Sequence, residues 1–421
     1  MKTEIKKITN FRFINYIILL ISSMIRLVYI LITTVGDRQH DLGYATLLDD
    51  GLINPGHLGY IEYLIKFRHL PDFDPFSIFS YYHPPVHHII AAIFVKAANI
   101  LGFKEPQIYE AIQIPCLIYS IITIIIAYNI LKLFTDDEKL ITLPLIFICF
   151  NPSLIYMTGS VNNDMGATMT TFLAVYLAIK WFKNGYQNKH LYMLALCMGV
   201  GMIFKPTIVV MACPIALVML MHFISEIKLK NTVNCIKKYI IFAILALPIG
   251  LSWTIRNIIR FGVTPGIPSL SETSSQYLRP YPIWEVLGVP VSSAILFPFH
   301  SENAAYCHNV WQIMIKTMLF TEIWPGEMSS FMLNFCRITY VVTCILVFVL
   351  FILSIIKPIR RINGGDTAMG VFLLTGILAL LGSYVFFVLK YPHTCSCDFR
   401  YIPVSLVFFA IAALPLQKTN K

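Results

Sequence analysis

The stretch from Gly36 to Pro85 reads GDRQHDLGYATLLDDGLINPGHLGYIEYLIKFRHLPDFDPFSIFSYYHPP. It follows the first long hydrophobic run directly, and it holds seven of the 22 acidic residues of the chain. Loops of this length are usually functional or disordered, and the aromatic content and helical spacing here argue against disorder. We therefore expect short helices at Tyr44–Asp50 and Leu58–Leu70 that form the wall of a functional site.

Around this stretch the chain has a membrane composition, with 57% hydrophobic and 13% charged residues and a mean hydropathy of +0.71. Soluble domains carry about 25% charged residues, and a helix needs about 20 apolar residues to cross a bilayer. Long apolar runs favour helices over a β-barrel. The predicted fold is therefore all-α, a polytopic helical membrane protein with about ten spans, within a range of roughly nine to twelve. The net charge of +10 accompanies no nucleic-acid-binding signature.

The distribution of basic residues predicts the orientation of these spans. The spans are expected near 13–35, 109–131, 140–158, 164–182, 191–205, 206–224, 238–256, 333–356, 369–390 and 401–416. With the amino terminus inside, short inner segments hold 18 of the 32 Lys and Arg residues. This asymmetry follows the positive-inside rule. It predicts a multi-pass protein of the cell membrane with both termini cytoplasmic.

Two outer segments interrupt this pattern within one predicted membrane domain over residues 1–421. The first, 36–108, ends in an apolar run at 86–102 that either spans or, as its polar stripe at helical spacing favours, lies in the interface. The second, 257–331, contains 283–299, which is in-plane or re-entrant, and a surface helix at Trp311–Phe320. The loop cysteines Cys307, Cys395 and Cys397 are candidates for a disulfide, and the chain has no CxxC zinc pair.

Two carboxylates are candidates for catalysis. Asp41, just past the first span, is a candidate general base or metal ligand that readies an acceptor hydroxyl. The alternative is a solvated loop acid or a helix N-cap. Asp164 opens a predicted span, so it is either a second carboxylate that orients acceptor or metal, or a charge favoured at a helix N-terminus.

Several cations and their neighbours are candidates for binding a phosphate. Pro84 and Pro85 fix the chain after Tyr82 and His83, so His83 contacts phosphate or sugar, or else the pair belongs to an interfacial aromatic belt.

Arg256 is a phosphate ligand or an interfacial snorkelling residue. Lys205 is a phosphate contact or the tip of a tight turn. Arg400 with Tyr401 grips a lipid phosphate, or Arg400 pairs locally with Asp398. Arg26, inside the first span, should face the protein interior because a charge in lipid is costly.

These features resemble the membrane-embedded GT-C glycosyltransferases, and in particular the bacterial relatives of dolichyl-phosphate-mannose protein mannosyltransferases and the lipid A aminoarabinose transferases. The resemblance rests on His-Asp at 40–41, His-Pro-Pro at 83–85 and Asn-Asp at 163–164. Lys-Pro-Thr at 205–207, Trp-x-x-Arg-Asn at 253–257 and Arg-Tyr-Ile-Pro at 400–403 match it as well.

The resemblance implies inverting transfer of a hexosyl or pentosyl group from a polyprenyl-phosphate donor. The acceptor is a hydroxyl of a glycolipid, polysaccharide or protein at the outer membrane face. Asp41 and Asp164 match the catalytic carboxylates, and a divalent metal ion, if one is used, would bind to them. His83, Lys205, Arg256, Arg400 and Tyr401 would hold donor and phosphate. His40, Tyr82 and Asn163 would line the cavity.

A transporter or lipid flippase is the alternative class. Such proteins show inverted repeats and broken spans with polar residues near mid-membrane. In this sequence the polar residues concentrate at the predicted outer ends of the spans, with Arg26 as the main exception. The pattern therefore favours an enzyme.

Overall fold

The structure is a computed structural model that describes residues 2–38, 54–105, 107–264, 266, 271–288, 297–322 and 326–416. Within these ranges the secondary structure is helical and contains no β-strand, which confirms the predicted all-α class. The helix expected at Tyr44–Asp50 and part of 283–299 lie outside the described residues, as do His40 and Asp41.

The α-helices are numbered in chain order. They are α1 Lys2–Ile32, α2 Val35–Arg38, α3 Gly56–Phe67, α4 Val86–Ile100, α5 Gln107–Glu110, α6 Gln113–Lys132, α7 Glu138–Cys149, α8 Pro152–Tyr156, α9 Asp164–Lys183, α10 Asn188–Phe204, α11 Ala212–Lys228, α12 Thr232–Phe261, α13 Ile283–Leu287, α14 Val310–Phe320, α15 Ser330–Asn363, α16 Thr367–Lys390 and α17 Ser405–Ala413. Short 3₁₀ turns form at Met157–Gly159, Pro206–Met211, Thr394–Cys397 and Phe399–Tyr401.

Seven helical segments of the described chain are long and apolar enough to cross a membrane. They are Asn10–Ile32, Gln107–Lys132, Asp164–Lys183, Pro206–Lys228, Thr232–Phe261, Ser330–Asn363 and Thr367–Lys390. An eighth span is formed if the pair Glu138–Cys149 and Pro152–Gly159, bent by 58°, counts as one. The multi-pass architecture is therefore confirmed, whereas the predicted number of about ten is not. The spans expected at 191–205 and 401–416 correspond to helices of 17 and 9 residues, which are short against the roughly 20 residues of a span.

Unit I, one of two compact units, comprises Tyr16–Leu133 and Met157–Pro268. Its helices α10 and α12 pack closely at glycines. A Cβ on Gly199 would lie 2.8 Å from the carbonyl oxygen of Ala246, and one on Gly250 would lie 2.5 Å from the sulfur of Met202. Small residues at such positions let helix backbones approach each other in a membrane. The prediction of one domain over 1–421 stays a prediction.

Helices α3 and α4 of unit I pack against each other through an apolar core. Leu58 and Ile61 of α3 join Ala91, Ala92 and Val95 of α4 in one buried cluster. The face of α4 that carries Ala91, Ala92 and Val95 therefore packs on α3. With 15 residues α4 is shorter than a span, and its in-plane position stays a prediction.

Unit II comprises Met1–Asn15, Phe134–Tyr156 and Ser269–Lys421. Its α14 contradicts the predicted surface helix, because Val310, the residues from Gln312 to Thr317, and Met318 are all buried. Even Lys316 is buried, and its ammonium lies 3.6 Å from the sulfur of Cys307. All ten cysteines of the chain are free, so the considered disulfide among Cys307, Cys395 and Cys397 is not formed.

Candidate active site

Unit I contains six of the predicted site residues, whereas unit II contains Arg400 and Tyr401. The six are Tyr82, His83, Asn163, Asp164, Lys205 and Arg256. They lie in two groups. Asn163, Asp164 and Lys205 lie where α9 begins and α10 ends. Tyr82, His83 and Arg256 lie where the end of α12 meets the segment before α4. His40 and Asp41 lie outside the described residues.

The first group is an ion pair between the start of α9 and the end of α10. Pro206 follows α10 and cannot continue its hydrogen-bonding pattern, and Lys205 before it is extended, with φ −161° and ψ 131°. This conformation brings its ammonium onto the carboxylate of Asp164, the first residue of α9. Both side chains are buried. The amide of Asn163 donates to the Phe204 carbonyl at 2.7 Å and ties the two helix ends together.

Lys205 is the partner of a buried carboxylate, so its side chain does not point away from the fold as the tip of a turn would. Its contact with a phosphate stays a prediction. Removing one member of a buried pair leaves an uncompensated charge and costs about 3–5 kcal/mol. Asp164 also gains from its position at a helix N-terminus.

The second group joins the end of α12 to the segment before α4. The indole N–H of Trp253 donates to the carbonyl of Tyr82 at 3.1 Å. The guanidinium of Arg256 lies 4.9 Å from the centroid of the Trp253 ring and donates to the carbonyl of Pro71. It also donates to Asn257 at 2.8 Å. Arg256 therefore holds the loop between α3 and α4 against α12.

A row of four imidazole rings, which we name the histidine row, runs beside these groups. His57 comes from α3, His83 from the turn before α4, and His87 and His88 from the first turn of α4. The ring centroids of His57 and His83 are 4.9 Å apart, those of His57 and His88 are 5.1 Å apart, and those of His87 and His88 are 5.5 Å apart. His87 is the last ring of the row, and its Nε2–H donates to the carbonyl of Val161 at 2.8 Å.

Burial keeps the inner end of this row neutral. It lowers the pKa of His87 to about 4, against an opposing effect of a hydrogen bond to Val161 and of the Asp164 carboxylate. It lowers the pKa of His88 well below its ordinary value, and the neighbouring His57 and His87 lower it further. Both rings are therefore uncharged at neutral pH, where they act as hydrogen-bonding groups and not as cations.

The sequence analysis missed three members of this row. The signal for two of them was present, because Tyr81-Tyr82-His83-Pro84-Pro85-Val86-His87-His88 places two histidines on the first turn after the proline break. No signal connected them to His57, which lies about thirty residues earlier in the chain. Spacing does not reveal a contact between two separate helices.

In unit II the guanidinium of Arg400 lies 3.5 Å from the Glu322 carboxylate. The backbone N–H of Arg400 donates to the carboxyl of Asp398 at 2.6 Å, so the local pair with Asp398 involves the main chain. Burial raises the pKa of Asp398 well above its ordinary value, the charge of Glu322 raises it further, and Arg400 opposes both. Arg400 also lies over the ring of Tyr401, 5.4 Å from the centroid.

Arg26 is buried inside the first span, which confirms the prediction that it faces the protein interior. Its Nε donates to the hydroxyl of Ser120 at 2.8 Å and its NH1 donates to the carbonyl of Ser22 at 3.2 Å. Thr158 donates to the same Ser120 hydroxyl at 3.0 Å. Hydroxyl and carbonyl groups therefore solvate this cation within unit I.

Among the described residues there is no cluster of three or more His, Cys, Asp or Glu side chains arranged for a metal ion. Asp41 lies outside the described residues. A divalent ion on Asp41 and Asp164 therefore stays a prediction.

Residues 82–253, about two fifths of the chain, match the model of a family described as dolichyl-phosphate-mannose-protein mannosyltransferase. No curated protein and no solved structure matches the chain. The matched stretch contains Tyr82, His83, Asn163, Asp164 and Lys205, and it ends at Trp253. Over these residues the resemblance to the mannosyltransferase family is confirmed, and it indicates a membrane glycosyltransferase of the GT-C type.

Proposed function

We propose that this protein transfers a sugar from a polyprenyl-phosphate donor to a hydroxyl of a glycolipid, polysaccharide or protein at the outer face of the membrane. The observation that carries the proposal is the buried Asp164–Lys205 pair at the ends of two helices inside the family-matched stretch. Such a pair is costly to bury. Ionisable residues within the helices of membrane proteins are often part of functional sites.

The chemistry of this donor explains the residue types. In an inverting transfer the acceptor oxygen bonds to the anomeric carbon while the bond from that carbon to the phosphate oxygen breaks. The acceptor proton leaves to a base, for which Asp41 is the candidate. The lipid phosphate departs with the bonding electrons, so its growing negative charge needs fixed cations.

Arg256 and His83 are the candidates for that role in unit I, and Lys205 would contribute charge while it holds Asp164. The loop bonded by Arg256 is the loop that leads into Tyr82 and His83, so the guanidinium is held where this loop meets α12. A planar guanidinium binds phosphate through two parallel hydrogen bonds. Arg400 and Tyr401 are further candidates for a lipid phosphate.

Transfer is tested by mass spectrometry of cell-surface glycolipids, polysaccharides and glycoproteins from cells with the chain, without it, and with Asp41→Asn. We expect a glycosylated product that is lost in both the deletion and the variant, at unchanged protein level. Asp49→Asn, in the same acidic loop, is the matched control and should keep the product. An active Asp41→Asn variant removes Asp41 from the mechanism, and an unchanged set of glycans in the deletion contradicts the function itself.

Arg26 is the main exception to the pattern that favours an enzyme over a transporter, because its charge lies within a span. Its contacts with Ser22 and Ser120 give this charge a structural partner set. A detergent-solubilised protein has no second compartment, so it cannot show transport. Transfer of sugar by the solubilised protein would therefore exclude a pure flippase.

A further inference from the structure

His57 and His88 have no part in the proposed chemistry, but within the histidine row they are joined by a direct contact between ring nitrogens. Nδ1 of His57 lies 2.8 Å from Nε2 of His88, and the two ring planes differ by only 4°. Nearly coplanar rings place the nitrogen lone pair of one in line with the N–H of the other. This geometry is that of a strong, well-directed hydrogen bond.

The contact admits only one hydrogen. One ring donates and the other accepts, so the pair cannot carry a proton on both facing nitrogens and remain in place. A charge on His88 is further disfavoured by its complete burial. The hydrogen bond between His57 and His88, which we name the clasp, therefore links α3 to α4.

The groups that face the clasp are aromatic on most sides. The ring of Tyr60 stacks on His88 at 4.4 Å and on Tyr81 at 4.6 Å. Burial raises the pKa of both tyrosines, so their hydroxyls keep their protons. The Asp164 carboxylate acts on the inner end of the row, where it raises the pKa of His87 against the effect of burial.

His83 lies at the outer end of this arrangement. Its ring stacks on His57 at 4.9 Å with the planes 22° apart, and it lies 4.5 Å from the ring of Tyr82. It is half-buried, whereas His57, His87 and His88 are buried. These two ring contacts restrict the rotation of the His83 ring, so it has less rotational freedom to lose when it binds a ligand.

We propose that His57 and His88 are positioning residues whose shared hydrogen bond fixes the ring of His83 for contact with a lipid-linked phosphate. The inference rests on the proposed function for the identity of the ligand. The contacts run from His88 on α4 through His57 on α3 to His83, so the effect of His88 on binding at His83 passes through His57.

The test uses the full-length protein in detergent with selectively ¹⁵N-labelled histidine. Three variants, His57→Phe, His88→Phe and the double variant, are compared with the wild type. The matched control is His69→Phe, which replaces an exposed histidine in the loop that also carries His83. Phenylalanine keeps a flat ring for stacking and removes the hydrogen bond. Binding of undecaprenyl phosphate and the ring-nitrogen signals of His83 are measured on each.

We expect His57→Phe and His88→Phe each to shift the His83 signals and to weaken binding by about threefold to tenfold, the range of one hydrogen bond. The double variant should bind no more weakly than the poorer single variant, because both changes remove the same bond. His69→Phe should match the wild type. A spectroscopic change at His83 together with an unchanged helical circular dichroism spectrum separates positioning from general unfolding.

Two other results are informative in different ways. If His88→Phe leaves both the His83 signals and binding unchanged, the positioning proposal is overturned. If His88→Phe shifts the His83 signals but even the wild type binds no undecaprenyl phosphate, the positioning of His83 is supported, and it is the proposed donor class that fails.

Discussion

The two units of the molecule bury their charges in different proportions. In unit I one carboxylate, Asp164, faces one ammonium, that of Lys205. In unit II two acids, Glu322 and Asp398, contact one arginine, Arg400, and the pKa of Asp398 rises well above its ordinary value. The comparison indicates that the balance of acidic and basic groups around a buried aspartate matters as well as its burial, because the charge of Glu322 adds to the effect of burial on Asp398 and Arg400 opposes it.

The largest expected effect comes from removing one member of the Asp164–Lys205 pair in unit I. Lys205→Met leaves the Asp164 carboxylate buried with its ammonium removed, and should lower the free energy of unfolding by about 3–5 kcal/mol. Adding Asp164→Asn should restore most of this loss, because the uncompensated charge disappears. Unfolding by dodecyl sulfate, followed by tryptophan fluorescence, measures both. Equal stability of Lys205→Met and the wild type would show that the pair does not form.

The second effect is the pH dependence, which should have opposite sign in the two units. His87 titrates near pH 6.5 when unfolded and near 4 when folded. The folded protein should therefore lose about 3 kcal/mol of stability as the pH falls from about 6.5 to 4. Asp398 has a raised pKa when folded, so its contribution weakens as the pH rises above about 3.9.

Variants at these two positions separate the contributions. His87→Phe should flatten the loss of stability on the acid side, and Asp398→Asn should flatten the opposing change. Unfolding curves recorded from pH 4 to pH 8 provide the comparison. An acid-side slope that survives in His87→Phe would assign the loss to a different group.

The smallest effect compares the two aspartates directly at neutral pH. Burial and the charge of Glu322 raise the pKa of Asp398 and so favour its protonated form, which an amide resembles. Asp398→Asn should therefore change stability by less than about 1 kcal/mol. Asp164→Asn leaves Lys205 buried opposite a neutral amide and should cost several times more. The same unfolding assay ranks the two variants. A reversed ranking would mean that Asp398 is ionised in the folded protein.

Local features of the fold could be predicted from the sequence. The apolar runs gave seven of the expected spans, and the polar segment at Asn162-Asn163-Asp164 marked the start of α9 correctly. Pro206 indicated the end of α10, and His-Pro-Pro at 83–85 indicated the start of α4. These features depend on hydrogen-bonding and steric rules that act within a few residues.

The contacts between distant residues could not be predicted. Lys205 and Asp164 are 41 positions apart, and His57 and His88 are 31 apart. Both pairs form because separate helices pack, which periodicity does not encode. The burial of α14 was missed for the same reason, since an amphipathic segment at a membrane and a helix inside a fold have similar composition.

The hydrogen bond between Trp253 and Tyr82 has a consequence for ancestry. These two residues are the last and the first of the stretch that matches the family, and they touch. A segment whose ends lie close together can be joined to new neighbouring segments without separating those ends. The regions on either side of this stretch can then change in sequence without separating its two ends.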